Sequence, residues 1–334
     1  MVLKMVAFPE RPLMKKTITI ISFLIMGVIA PAPSHASELL EVGNFQVELV
    51  GPGESVLDAS GRETTGTTAW TEEQKTAVVS VLEVLNLSFP TSAARPIRIA
   101  MSWSDDLPEQ LGGRSSSTVF ITTTGEAQTT IETAWRDNDP TDNAPGTADI
   151  VIQYNTGYDF HLGGYHLDFR TYVTHEILHG LGLVSGYSSS NGFIGVTRWD
   201  SLMEDIDGNR AEYGTFGTPN PLTVISPQGT VLWLGDYANA TYGGPVPIKT
   251  FEEAFYSGAS LVHAAPLGEL MSWAAGFGER SRAPNKLLLD MFRDMGWEIN
   301  MDFYNSFGPT YYRNETTLDS AENFLSDYDY SYAF

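Results

Sequence analysis

The segment His175-Glu176-Ile177-Leu178-His179 carries the side chains best arranged for chemistry. On a helix, residues four apart project from one face, so His175 and His179 present two imidazoles toward one point. Two such nitrogens are half of a zinc site. Glu176 is turned by roughly 100° from His175 on the same helix. A carboxylate there can stand beside a metal without ligating it, where a general base takes a proton from water at the metal. Gly180 and Gly182 are suited to end the helix promptly.

Two histidines leave zinc short, because catalytic sites usually combine three protein ligands with an open position. The chain has no Cys, so thiolate ligands, disulfides and a cysteine-based latency switch are all excluded. His175 to Gly182 reads H-E-x-x-H-x-x-G and resembles the metzincin peptidases. In most metzincins the third ligand is a His three residues beyond that Gly; here the position is Ser185. The leishmanolysin-like branch instead supplies its third His much later, ahead of a Glu-Leu-Met segment that carries the Met-turn. This chain is similar: His263 precedes Glu269-Leu270-Met271, and Asp294-Met295-Gly296-Trp297 follows. Secreted bacterial proteins share the arrangement, and the resemblance covers residues 145–300.

The resemblance implies that His175, His179 and His263 bind one Zn2+, that Glu176 is the general base, and that Met271 forms the hydrophobic turn beneath the metal. It implies a secreted zinc endopeptidase with protein or peptide substrates. Some metzincins place a Tyr two residues after that Met; here it is Trp273, so a phenolic oxyanion stabiliser is not expected there. Two other readings remain open. One is a catalytically silent secreted binding or surface protein on the same fold. The other is a gluzincin-type hydrolase with a carboxylate as third ligand. Glu204, 25 residues past His179, has the spacing for that, and Asp200 is a further candidate. His161 and His166 are expected to line the entrance or the surface.

The elements that must hold these residues read as α+β. Thr71 and Gln74 can form a capping box ahead of Val78, Val81, Leu82 and Leu85 at helical spacing. Phe45, Val47 and Leu49 alternate as a first strand, with a pro-segment as the other reading of residues 37–70. Ile97, Ile99, Met101 and Trp103 predict a half-buried strand; Val119 with Ile121, and Ile150-Val151-Ile152, predict two more. Leu288, Met291, Phe292 and Met295 predict a core helix stopped by Gly296. The expected fold is metzincin-like: a mixed twisted sheet, an active-site helix, and a mostly irregular C-terminal subdomain.

Residues 1–36 read as a signal peptide: Lys15-Lys16, an apolar run from Ile18 to Ala30, then Ser34-His35-Ala36 as a cleavage site. The apolar run is shorter than the roughly 20 residues a membrane span needs, so no lasting anchor is expected. The chain is expected to be extracellular or periplasmic. The catalytic subdomains are expected over 37–182 and 183–304, followed by an acidic, Tyr-rich tail over 305–334. A formal charge of -22 argues against nucleic acid as a partner. Asp137, Asp139 and Asp142 around Pro140 offer carboxylates to a Ca2+ ion, although a solvated loop is the plainer reading.

Overall fold

Alternating apolar residues build the sheet on which the motif helix rests. In the computed structural model the first strands are β1 (Glu38–Val42) and β2 (Phe45–Leu49). The short hairpin β3 (Ser55–Leu57) and β4 (Glu63–Thr65) follows. Helix α1 (Glu72–Ser88) leads to β5 (Ile97–Ser104), β6 (Gly113–Ser117), β7 (Val119–Ile121), β8 (Glu126–Thr129) and β9 (Ile150–Asn155). The main sheet has the order β1-β2-β5-β9-β6. Its three inner strands are parallel, while β1 and β6 run antiparallel at the two ends. The fold is therefore mixed α+β, with several further small sheets. The described residues are 37–57, 63–90, 92–109, 111–123, 125–141, 147–161, 167–188, 192–193, 195–205, 208–210, 231–248, 261–263, 270–271 and 282–307.

One face of the sheet is covered by helices. Phe45, Val47, Ile97, Ile99, Met101, Ile150 and Ile152 are buried in one cluster with Val78, Val81, Leu82 and Leu85 of α1. The capping box is present: Thr71 Oγ1 accepts from Gln74 N, and Gln74 Oε1 accepts from Thr71 N. Helix α2 (Phe169–Gly180) adds Tyr172, Val173 and Ile177 to the same core. Strand β5 departs from the half-buried expectation, because Ala100, Ser102 and Ser104 on its other face are buried as well. Ala100, Val50 and Val151 form a second small core, packed by Val56 of β3 and by Ala148. Within residues 37–70, Glu38–Val42 and Phe45–Leu49 form two strands of the main sheet.

Beyond α2 the elements are short, as the irregular C-terminal texture implies. Met203–Asp205, Val231–Trp233 and Val246–Ile248 form a small antiparallel sheet. Helices α3 (Asp236–Tyr242), α4 (Lys286–Asp294) and α5 (Met301–Ser306) follow. Asn285 caps α4 by accepting from Leu288 N, and Gly296 leaves it at φ +93°, a conformation that glycine adopts cheaply. His35 onward forms one compact unit. The signal-peptide reading of 1–36 and the tail beyond Phe307 lie outside the described residues. No described helix is long and apolar enough to cross a membrane.

Candidate metal centre

Helix α2 begins where Asp168 can cap it. Its carboxylate accepts from Thr171 N at 3.1 Å and Thr171 Oγ1 at 3.0 Å. Arg282, distant in sequence, donates to the same carboxylate through Nε at 2.9 Å. Burial alone would raise the Asp168 carboxyl, but Arg282 and Thr171 hold it below the usual range. Twelve residues later the helix ends at Gly180, and Gly182 turns the chain at φ +126°.

His175 and His179 sit one turn apart with their Nε2 atoms 3.0 Å from each other. The fold brings His263 to the same point, its Nε2 3.3 Å from that of His175. One ring nitrogen from each of the three lies within 4.8 Å of the others. Three imidazole nitrogens bound at 2.0–2.1 Å around one tetrahedral ion would lie roughly 3.4 Å apart, so the observed spacing fits zinc.

The tautomers fit as well. His175 Nδ1 lies 2.9 Å from the Leu270 carbonyl, and His179 Nδ1 lies 2.8 Å from the Leu183 carbonyl. A carbonyl only accepts, so each Nδ1 carries the proton and each Nε2 keeps a lone pair. Two lone pairs 3.0 Å apart repel one another, and a cation between them turns that repulsion into binding. Burial pushes His175 well below the ordinary histidine value, with the charges of His179 and His263 adding to it; the Leu270 carbonyl opposes this. Burial likewise lowers His179 to about 4, against the Leu183 carbonyl. Both are neutral at pH 7, the form that binds metal.

Glu176 is buried, and burial raises its carboxyl to about 8, with Arg114 opposing the shift. Gly113, the first residue of β6, lies hard against it: a Cβ at Gly113 would come 2.9 Å from Glu176 Oε1. Tyr154, opposite Gly113 in the ladder, is fully buried. Its phenol is pushed well above the ordinary value by burial first and by the Glu176 charge second.

His263 is held by its surroundings rather than by an element of its own. Two residues earlier, Leu261 adopts φ +67°, which costs a non-glycine residue energy and calls for a surrounding restraint. Trp199 supplies it by donating its indole N–H to the Leu261 carbonyl at 2.6 Å. Trp199 in turn packs on Trp233, ring centroids 4.5 Å apart. Met271 is fully buried, next to the Leu270 that holds His175.

The carboxylates weighed as third ligands are engaged elsewhere. Asp200 accepts from Ser185 Oγ at 2.7 Å, from Gly186 N at 2.8 Å, and from Thr197 N at 3.0 Å and Oγ1 at 2.8 Å. It pins the turn after α2, and Ser185 is one of its donors rather than a ligand. Glu204 pairs with Arg210 at 2.6 Å. Asp137 pairs with Arg136, and Asp139 accepts from Thr141 through one carboxylate oxygen; Asp142 lies outside the described residues. His161 is exposed beside Asp159, and His166 lies outside the described residues. Among the described residues the three histidines are the one group placed to hold a metal.

Sequence reasoning missed the Leu183 and Leu270 carbonyls, which carry no side-chain signal. It also missed Gly113 and Tyr154. Asp168 had a signal: an Asp three residues before a Thr, at the head of an apolar stretch, is an N-cap pattern. Compared with protein-family models, curated proteins and solved structures, the chain matches none.

Proposed function

We propose that this protein is a secreted zinc-dependent endopeptidase, with His175, His179 and His263 as ligands and Glu176 as general base. One observation carries the reading. Three imidazoles converge, two from α2 and one from a stretch far along the chain, two of them with their outer protons tied to carbonyls, and the helix carries a buried carboxylate next to His175. When bound, zinc supplies Lewis acidity, which acidifies water and polarises a carbonyl.

The chain's own groups do the rest. Glu176 stands where it can take a proton from the attacking water and pass it to the leaving amine nitrogen. Burial raises its proton affinity in the metal-free chain, and the charge of a bound zinc would lower it again, toward the range in which it can first accept and then give up the proton. Burial of the site excludes bulk water and strengthens each charge interaction within it. A peptide is the substrate class that suits the surroundings. Strand β6 ends the sheet, pairs only with β9 among the described strands, and runs past Glu176. An extended peptide can pair with the outer edge of such a strand through its backbone.

The resemblance to leishmanolysin-like metzincins supports the same reading, with Met271 as the Met-turn residue. The test is Glu176→Gln in zinc-loaded protein. The amide keeps the shape but cannot accept the proton, so casein cleavage should fall by roughly 10³-fold or more while zinc stays bound at one per chain. Substantial cleavage by the metal-replete variant would reject the assigned role. A wild type that binds zinc and cleaves nothing would favour a silent binding protein on this fold.

A further inference from the structure

We infer that Gly113 is a positioning residue for Glu176: the missing side chain at the head of β6 leaves the space in which the Glu176 carboxylate stands beside the three histidines. This rests on the zinc-peptidase reading of the site. A Cβ at Gly113 would meet Glu176 Oε1 at 2.9 Å, Cδ at 3.3 Å and Cγ at 3.4 Å. The strand lies close against α2. A Cβ at the preceding Gly112 would come 2.6 Å from the Tyr172 ring, so α2 and the strand already touch there. Asn155 N donates to the Gly112 carbonyl at 2.9 Å, and Ser117 Oγ donates to the Gly180 carbonyl at 3.2 Å. Strand β6 is thus tied to β9 along its ladder and, through Ser117, to the end of α2.

The backbone of Gly113 is not what demands glycine. It lies within the β6 ladder and does not take a positive φ, so alanine can adopt the conformation. The atom that a methyl group would displace is the far end of a flexible side chain. The expected response of Gly113→Ala is therefore a moved carboxylate in an intact fold. A base displaced by about 1 Å from its productive position is enough to cost roughly 10²-fold in rate.

The experiment combines Gly113→Ala and Glu176→Asp in a cycle on the zinc-loaded protein. Gly113→Ala should lower kcat roughly 10–100-fold, with KM, zinc stoichiometry and thermal midpoint nearly unchanged. Aspartate is one methylene shorter and draws its carboxylate back from residue 113. The alanine should therefore cost several-fold less in the Glu176→Asp background than in the wild type. Full kcat in Gly113→Ala, or an equal penalty in both backgrounds, would overturn the inference. If zinc-loaded wild type cleaves no peptide, the function is wrong, and crystal structures of zinc-loaded wild type and Gly113→Ala decide the positioning: a Glu176 carboxylate unmoved in Gly113→Ala overturns it. Should Gly113→Ala fail to fold, adding Glu176→Ala should restore folding. An unfolded double variant would put the conflict elsewhere and also overturn it.

Discussion

The two halves of the candidate metal centre are built by opposite means. His175 and His179 are positioned by one helix, whose geometry guarantees their spacing once Asp168 caps it and Gly180 ends it. His263 comes from a stretch where Leu261 is held in a left-handed conformation and its carbonyl is bound by an indole 62 residues away. The first half draws on local physics, and the second on the assembled core. Yet the second half also reaches back: Leu270, seven residues past His263, holds the His175 ring with its carbonyl. The loop therefore orients part of the helix's own half-site, as outer partners of metal-bound histidines do.

The largest effect should erase the contrast. His179→Ala and His263→Ala each remove one of three ligands, so both should lose zinc at one per chain and peptide cleavage with it. Glu204→Ala should keep the metal, because Glu204 is committed to Arg210. Metal analysis after dialysis and a casein assay read both. Stoichiometric zinc in His263→Ala, with loss in Glu204→Ala, would replace the three-histidine site by a carboxylate site.

A smaller change should separate the halves. Trp199→Phe keeps the ring packed on Trp233 but removes the N–H that the Leu261 carbonyl accepts. A buried carbonyl left unpaired costs about 1–3 kcal/mol. That cost falls on the backbone beside His263, so zinc affinity should drop roughly 5–150-fold, the same energy read through binding. The circular-dichroism signal of the zinc-loaded fold should be unchanged. An affinity equal to wild type would mean that the loop is held by other contacts.

This contrast also marks what could be read from the chain. The pair on α2 was legible because a four-residue spacing has one meaning on a helix. The Thr71–Gln74 box and the strands of alternating Ile, Val and Met were legible for the same local reason. Strand β6 was not, because Gly-Arg-Ser-Ser-Ser has no apolar residue and is a strand through its ladder with β9. The burial of both faces of β5 depends on a hairpin more than 30 residues earlier in the chain. The approach of His263 could be taken only from the family resemblance; no periodicity links it to His175. The carbonyls that fix the histidine tautomers belong to the backbone, which sequence does not distinguish.

The smallest effect concerns neighbours on α2 that titrate in opposite senses once zinc is chelated away. The carboxyl of Glu176 is raised to about 8 by burial, so between its ordinary value of 4.5 and about 8 the folded chain holds a proton that the unfolded chain has lost. Its contribution to stability is full below 4.5 and is lost as pH rises through 8. His179 is lowered to about 4, so between about 4 and its ordinary value of 6.5 the unfolded chain takes the extra proton. Its contribution is full above 6.5 and is lost as pH falls toward 4. The two slopes oppose each other from 4.5 to 6.5, and above 6.5 only the Glu176 slope of the two remains. Glu176→Gln removes one slope and leaves the other. The thermal midpoint of metal-free wild type, minus that of metal-free Glu176→Gln, should therefore fall steadily from pH 4.5 to 8 and level off beyond. His179→Gln, compared in the same way, should give a difference that climbs from about pH 4 to 6.5 and then stays flat. A wild-type minus Glu176→Gln difference that does not change across pH 4.5–8 would mean that Glu176 is not held protonated by burial, and the proton-shuttling role drawn for it would lose its electrostatic basis.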